Sequence, residues 1–238
     1  MRISEKTRFS IAVDGFRFIV PAFLLTLALL VLIILHPHNR LLEIAAFLSA
    51  VLSGWVLYFF RDPERKSPGI EGSILSPADG KVTQIDEVEH SGFPGGKCRR
   101  VSVFLSIFNV HVNRAPLGSQ IGAIDYNPGK FLNAMNEKSS TDNESNCVEF
   151  INGRCKVYVK QIAGLIARRI VCYAKPGEQF KRGDRYGLIR FGSRVDTFFP
   201  LDAEVRVKRG MHVKGGESIL AVLDNPLSNC GEKSAQDE

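Results

Sequence analysis

Ser193 stands between Gly192 and Arg194 in "GLIRFGSRVDTFFP", a stretch that otherwise reads as β-strand. A hydroxyl beside a glycine carbonyl, with no side chain to shield that carbonyl, is a nucleophile next to its own electrophile. A base and an acid stand at other strand ends: His111 in "FLSIFNVHVNRAP" and Asp79 in "SPADGKV". Brought together, Ser, His and Asp can serve as nucleophile, base and orienting acid. Spacing alone also admits plainer readings: a packed core histidine, a turn-forming aspartate, and a bulge at Gly192–Ser193. A serine hydrolase of the elbow type is disfavoured, because Val195 stands where the second glycine of G-x-S-x-G belongs. The cysteines (Cys98, Cys147, Cys155, Cys172, Cys230) are odd in number and lack C-x-x-C spacing, so they read as reduced thiols rather than a disulfide framework or zinc ribbon. His36 and His38 flank Pro37 in a loop and read as interfacial rather than as a metal site. His90 and His212 lie in polar stretches and read as surface.

The elements that must position these groups follow from hydropathy. The chain has 238 residues, enough for one soluble domain and an appendage. Phe18 to Leu35 is an apolar run broken only by Pro21 and Thr26, and a second run extends from Leu41 to Phe60. Each approaches the ~20 residues that cross a bilayer as helix, and the short "HPHNR" between them fits a helical hairpin. Trp55 and Tyr58 suit a membrane interface. Arg2, Lys6, Arg8 and Arg17 precede the hairpin, Arg61, Arg65 and Lys66 follow it, and the loop carries only Arg40. The positive-inside rule then places both ends in the cytoplasm. A hairpin lying in one leaflet or a buried helix pair satisfies the same composition. The net charge of +6 suits an anionic partner, and the apolar N-terminus favours lipid over nucleic acid.

From Arg61 on, Pro and Gly punctuate segments of strand composition: 81–88, 99–108, 147–151, 155–163 and 167–174. Residues 129–146 read as a short helix running into a polar loop. No long amphipathic helix appears, which disfavours a doubly wound fold. "AKPGEQFKRGDRYGLI" (174–189) resembles "VKRGMHVKGGESILAV" (207–222), with matched residues 33 apart. Such units resemble the two halves of a lipoyl/biotinyl-like hammerhead or barrel-sandwich, to which "SPADGKVTQI" can add a strand. The expected fold is therefore mainly β (α+β). Residues 1–60 form a transmembrane or interfacial helical hairpin and residues 61–238 a β-rich catalytic domain. Gly192–Ser193 falls between the two repeat units.

Seven motifs in register, "YFFRDPER", "SPADGKV", "IFNVHVNRAP", "YNPGKF", "NESN", "IAGLIARRI" and "GLIRFGSRVDTFFP", span residues 58–200. Together they closely resemble the phosphatidylserine decarboxylase family, in its short branch with an N-terminal hydrophobic hairpin. The resemblance implies a proenzyme that cuts itself at Gly192–Ser193 into a β chain (1–192) and an α chain (193–238). Ser193 would become a pyruvoyl group that forms a Schiff base with the substrate amine and acts as electron sink, with no external cofactor. The absence of a phosphate-cradling glycine loop agrees with that. His111 is then the expected general acid and base, with Asp79 holding or polarising it. The implied substrate is phosphatidylserine in the cell membrane, decarboxylated to phosphatidylethanolamine and CO2 on the cytoplasmic face. Arg61, Arg65 and Lys66 would sit against anionic headgroups. The implied partners are the two self-derived chains as a heterodimer, with no nucleic acid, no metal, and a higher oligomer left open.

One departure stands out. The longer branch carries a second histidine three residues after the first, where this chain has Arg114. One histidine would have to serve both maturation and decarboxylation, and Arg114 becomes a candidate contact for a substrate phosphate or carboxylate. A surface arginine is the plainer alternative. Two other functions fit part of the pattern. One is decarboxylation of a related serine-headgroup lipid of archaeal type. The other is a non-catalytic, membrane-tethered hammerhead adaptor, which lacks support because no modified-lysine hairpin or coiled-coil insertion is present.

Overall fold

A computed structural model describes residues 10–129, 143–153, 155–164, 169–190 and 192–223. The helix and loop expected over 129–146 fall largely outside them. The chain forms two compact units, one ending at Glu64 and one beginning at Arg65.

The first unit is a helical hairpin. Helices α1 (Phe16–Leu35) and α2 (Arg40–Phe59) are joined by a tight loop, and the Asn39 side chain caps α2 by accepting from the Leu41 and Leu42 amides. Both helices are long and apolar enough to cross a membrane, and side chains such as Leu24, Ile34, Leu41 and Phe47 point outward unpacked. Where the helices meet, Thr26 Oγ1 lies 2.8 Å from Ser49 Oγ and 3.0 Å from Ser53 Oγ. These hydroxyls satisfy one another inside an apolar pair, which sets its register. Strand β1 (Ser10–Ile11) pairs antiparallel with β2 (Arg61–Asp62) and closes the base of the hairpin.

The second unit is mainly β, as the composition predicts, and consists of two copies of one strand pattern. The first copy opens with β3 (Ser73–Leu75), β4 (Gly80–Glu89) and β5 (Lys97–Leu105). It finishes, after a long excursion, with β13 (Ser193–Phe199), β14 (Glu204–Val205), β15 (His212–Val213) and β16 (Ile219–Val222). The excursion is the second copy: β6 (Val112–Arg114), β7 (Ser119–Asn127), β8 (Ser145–Asn152), β9 (Cys155–Ala163), β10 (Ile170–Cys172), β11 (Gln179–Phe180) and β12 (Arg185–Ile189).

The main sheet runs β11–β7–β8–β9–β13–β5–β4–β15, and two smaller sheets run β10–β12–β6 and β14–β16–β3. Outward from its centre the main sheet repeats like strands: β9 with β13, β8 with β5, β7 with β4, β11 with β15. The docking bonds repeat too. Gly177 N–H donates to Ile121 O and Gly210 N–H to Val82 O, each at 2.8 Å. Gly183 N–H donates to Ala115 O at 2.9 Å and Gly216 N–H to Ser76 O at 2.8 Å. Even the bulges coincide, between Ile121 and Ile124 in one copy and Val82 and Gln84 in the other. The glycines of the visible repeat turn the chain at positive φ, 84° and 91° for Gly177 and Gly210, a region closed to most side chains.

The core lies between these sheets, with Val103, Val159, Val195, Phe150 and Phe199 fully buried. On the opposite face of the main sheet Phe93, Cys98 and Phe198 form a second cluster. His90 packs there, its ring 4.4 Å from that of Tyr158 and its Nδ1 accepting from Gly92 N–H. It is half-buried and ring-stacked, not the surface residue its polar neighbours suggest.

The duplication sharpens where Gly192–Ser193 lies. Asn152 and Cys155 are register partners across the tight hairpin between β8 and β9. Leu105 and Ser193 are partners in the same way between β5 and β13. There the two-residue turn is replaced by the whole second copy, and Ser193 is the first residue after the chain returns.

Candidate active site

Ser193 begins β13 with neighbours on both sides, pairing Leu105 of β5 and Ala163 of β9. Alternation turns its side chain to the core face, alongside Val195. It is fully buried, and its Oγ finds no hydrogen-bond partner among the described residues. Gly192 before it has φ 68°, which suits glycine.

His111 reaches this point from the loop ahead of β6 and is 2% exposed. Its Nε2 lies 3.3 Å from the Gly192 amide nitrogen, and its Nδ1 lies 2.9 Å from Asn109 O. A carbonyl only accepts, so Nδ1 carries the proton and Nε2 presents its lone pair to Gly192 N–H. This is the tautomer a general base requires. The loop is braced for the purpose: Asn109 Oδ1 accepts from both the amide and the hydroxyl of Ser106, at 2.9 and 2.7 Å.

Asp79 lies elsewhere. One oxygen accepts from Arg65 Nη2 and the other from the Gly215 amide, each at 2.7 Å. Its carboxylate is thus committed to Arg65 and Gly215 and forms no hydrogen bond to the imidazole. The next residue, Gly80, begins β4 hard against β5: a side chain there would place its Cβ 2.2 Å from Phe104 O. Burial holds the Asp79 carboxyl above its usual range, with Arg65, the Gly215 amide and Arg114 pulling the other way.

Arg65 is 9% exposed at its side chain and also pairs with Glu217 at 3.2 Å. It is a buried partner of Asp79, not the headgroup contact its place in a basic cluster suggests. The side chain closes on residues far along the chain, and no local pattern announces that. Arg114 is 5% exposed, donates to Gly183 O at 3.1 Å and lies against Gly216, so it is not a surface arginine. His212 is exposed, as expected. The structure thus brings His111 to Gly192 and Ser193 and gathers Asp79, Arg65, Glu217 and Arg114 into a neighbouring buried ionic group.

The second copy supplies an internal comparison. A cavity of about 500 Å³ lined by Gly72, Gly118, Cys155 and Arg182 occupies the place equivalent to this site. By register, Cys155 stands for Ser193, Gly72 for His111, Gly118 for Asp79 and Arg182 for Gly215. Of the two equivalent sets of positions, only one carries a serine, a base and an acid.

A family profile described as phosphatidylserine decarboxylase matches residues 52–221. The phosphatidylserine decarboxylase proenzyme of Ruegeria pomeroyi is 48% identical over 76% of this chain and 84% of its own. That of Magnetococcus marinus is 48% identical over 76% and 83%. That of Geotalea uraniireducens is 40% identical over 90% and 96%. Fold, site and matches together define a carboxy-lyase. The chain belongs to the phosphatidylserine decarboxylase family, and the adaptor alternative is set aside.

Proposed function

We propose that this chain is a proenzyme that cuts itself between Gly192 and Ser193 and then converts phosphatidylserine to phosphatidylethanolamine and CO2. The observation that carries this reading is the buried, unpartnered Ser193 hydroxyl beside a Gly192 whose amide faces the His111 lone pair. In the first step Ser193 Oγ attacks the Gly192 carbonyl carbon, the C–N bond breaks, and an ester links 192 to the side chain of 193. A base then removes the Ser193 Cα proton and the Gly192 carboxylate leaves. His111 Nε2 is the basic atom near enough to serve. Water hydrolyses the unsaturated residue, releasing ammonia and leaving a pyruvoyl group.

The buried setting of Ser193 suits such a group, its Oγ having no competing hydrogen bond among the described residues. When formed, it supplies the electrophilic carbonyl that holds the substrate amine and draws off the electron pair freed with CO2. His111 Nε2 then delivers the proton that replaces the carboxyl group. Asp79, held on Arg65, acts on the base through the field of the site rather than by direct contact. Arg114 lends positive potential to the substrate's anionic groups from a buried position. The apolar hairpin tethers the enzyme to the bilayer that contains its substrate, with the catalytic unit on the cytoplasmic side and the two self-derived chains as a heterodimer.

Intact mass under denaturing conditions tests the reading. Wild-type protein is expected as two chains, with the α chain lacking an N-terminal amine, and Ser193→Ala as one uncleaved, inactive chain. Active wild-type protein consisting of one chain with an ordinary serine would overturn it.

A further inference from the structure

A run of buried amides beside Ser193 has no part in the chemistry above. Asn113 lies on β6, two residues beyond His111, and is fully buried. Its Oδ1 accepts from Gln161 Nε2 at 2.8 Å, and Gln161 Oε1 accepts from Asn146 Nδ2 at 3.0 Å. Gln161 pairs with Val195 across β9 and β13, which makes it the diagonal neighbour of Ser193 on the core face. Room for it comes from Gly187, where a Cβ would lie 3.2 Å from Gln161 Nε2.

These bonds fix which way each amide points. Because Asn113 Oδ1 is the acceptor, Nδ2 is a pure donor. That donor is buried and meets no acceptor among the described residues, and the same holds for Ser193 Oγ. A buried donor without a partner destabilises a folded protein.

The fold does not demand this arrangement. In the other copy the counterparts of Asn113 and Gln161 are Ile74 and Phe199, each fully buried in the apolar core. The same backbone positions accept hydrocarbon where no serine is to react.

We propose that the Nδ2–H of Asn113 donates to the Gly192 carbonyl oxygen as Ser193 attacks, with Gln161 and Asn146 as positioning residues. As the Oγ–C bond forms, the carbonyl π pair moves onto that oxygen, which needs a donor most at this moment. When the carbonyl re-forms, the C–N bond breaks and the hydroxyl proton ends on the Ser193 nitrogen. Nothing is oxidised or reduced and no co-reactant enters. Fixed in advance in a buried setting, the donor is worth more than water would be.

The inference rests on the self-cleavage reading, and the test separates the two. Full-length protein made by cell-free synthesis is chased at neutral pH, and the cleaved fraction is read by denaturing mass spectrometry beside a thermal melt. Asn113→Ile, which installs the other copy's residue, is expected to melt normally and cleave about 100-fold more slowly. Gln161→Leu, which leaves Asn113 free to rotate, is expected to slow cleavage by about 10-fold. Asn113→Asp presents an acceptor at neutral pH and a hydroxyl donor once protonated, so its cleavage rate relative to wild type at the same pH, which cancels protonation of His111, is expected to recover as pH falls. A merely structural role predicts no such recovery. A folded Asn113→Ile chain cleaving within about 3-fold of wild type overturns the proposal. If Asn113→Ile fails to fold, wild-type cleavage in Gln161→Leu, or a pH-independent relative rate in Asn113→Asp, overturns it instead. Wild-type protein that never cleaves at Gly192–Ser193 defeats the self-cleavage reading itself, and this proposal with it.

Discussion

Asp79 and Arg65 show how much of the site's electrostatics depends on single partners. Removing Arg65 leaves a buried carboxylate with only the Gly215 amide, so Arg65→Ala is expected to cost about 3 kcal/mol, read by chemical denaturation in detergent. The pH dependence carries a sign that checks the burial argument. The folded-state pKa of Asp79 is raised above its unfolded value, so the folded state binds the extra proton. Its contribution to stability is present at low pH and is lost as pH rises through the raised pKa. Melting temperatures of wild type and Asp79→Asn, compared from pH 4 upward, are expected to diverge, wild type losing ground as pH rises. A constant difference refutes that account. The thiols follow the same logic, since burial pushes Cys98 up to about 11 and Cys147 up to about 12. Neither is a ready nucleophile near neutral pH.

The strands were mostly legible in the sequence, because alternation in "CKVYVKQIA" is strong, "KVTQIDEV" has strand composition, and the folded ladders contain both segments. The repeat at 174–189 and 207–222 was legible too, because its glycines serve positive-φ turns that tolerate little else. The rest of the duplication was hidden. Copies of β3–β5 and β6–β8 share burial and bulges but not residue types, and one copy interrupts the other, so no fixed period runs through the chain. The motifs point to His111 and Ser193 as candidate site residues, whereas nothing in the sequence sets Asn113 and Gln161 apart. Arg65 was misread because its partners lie at Asp79 and Glu217, outside any local pattern. Strand β4 offers a direct test of packing at element level. Because a methyl at Gly80 would collide with the Phe104 carbonyl, Gly80→Ala must push β4 from β5. It is expected to destabilise the fold by about 2–4 kcal/mol and to slow self-cleavage, read by urea denaturation and by chain masses.

At the scale of the molecule, the proposed self-cleavage would cut a chain whose two pieces stay interleaved. Strand β13 would open the α chain, yet its ladders on both sides run to β5 and β9, which belong to the β chain. Strands β14 to β16 add further pairing, through β16 with β3 and β15 with β4. The cleaved chains are therefore expected to co-elute on size exclusion in mild detergent and to separate only in denaturant; separation under native conditions contradicts this interleaving. The full burial of Ser193 has one more consequence. Simple hydrolysis of the Gly192–Ser193 bond would create an α-ammonium at a buried strand start, an unpaired cation in the interior that costs several kcal/mol. A cut that instead discharges the nitrogen as ammonia leaves a neutral ketone at that terminus. The chain end that the proposed cut would create inside the protein is one this interior could keep without a counterion.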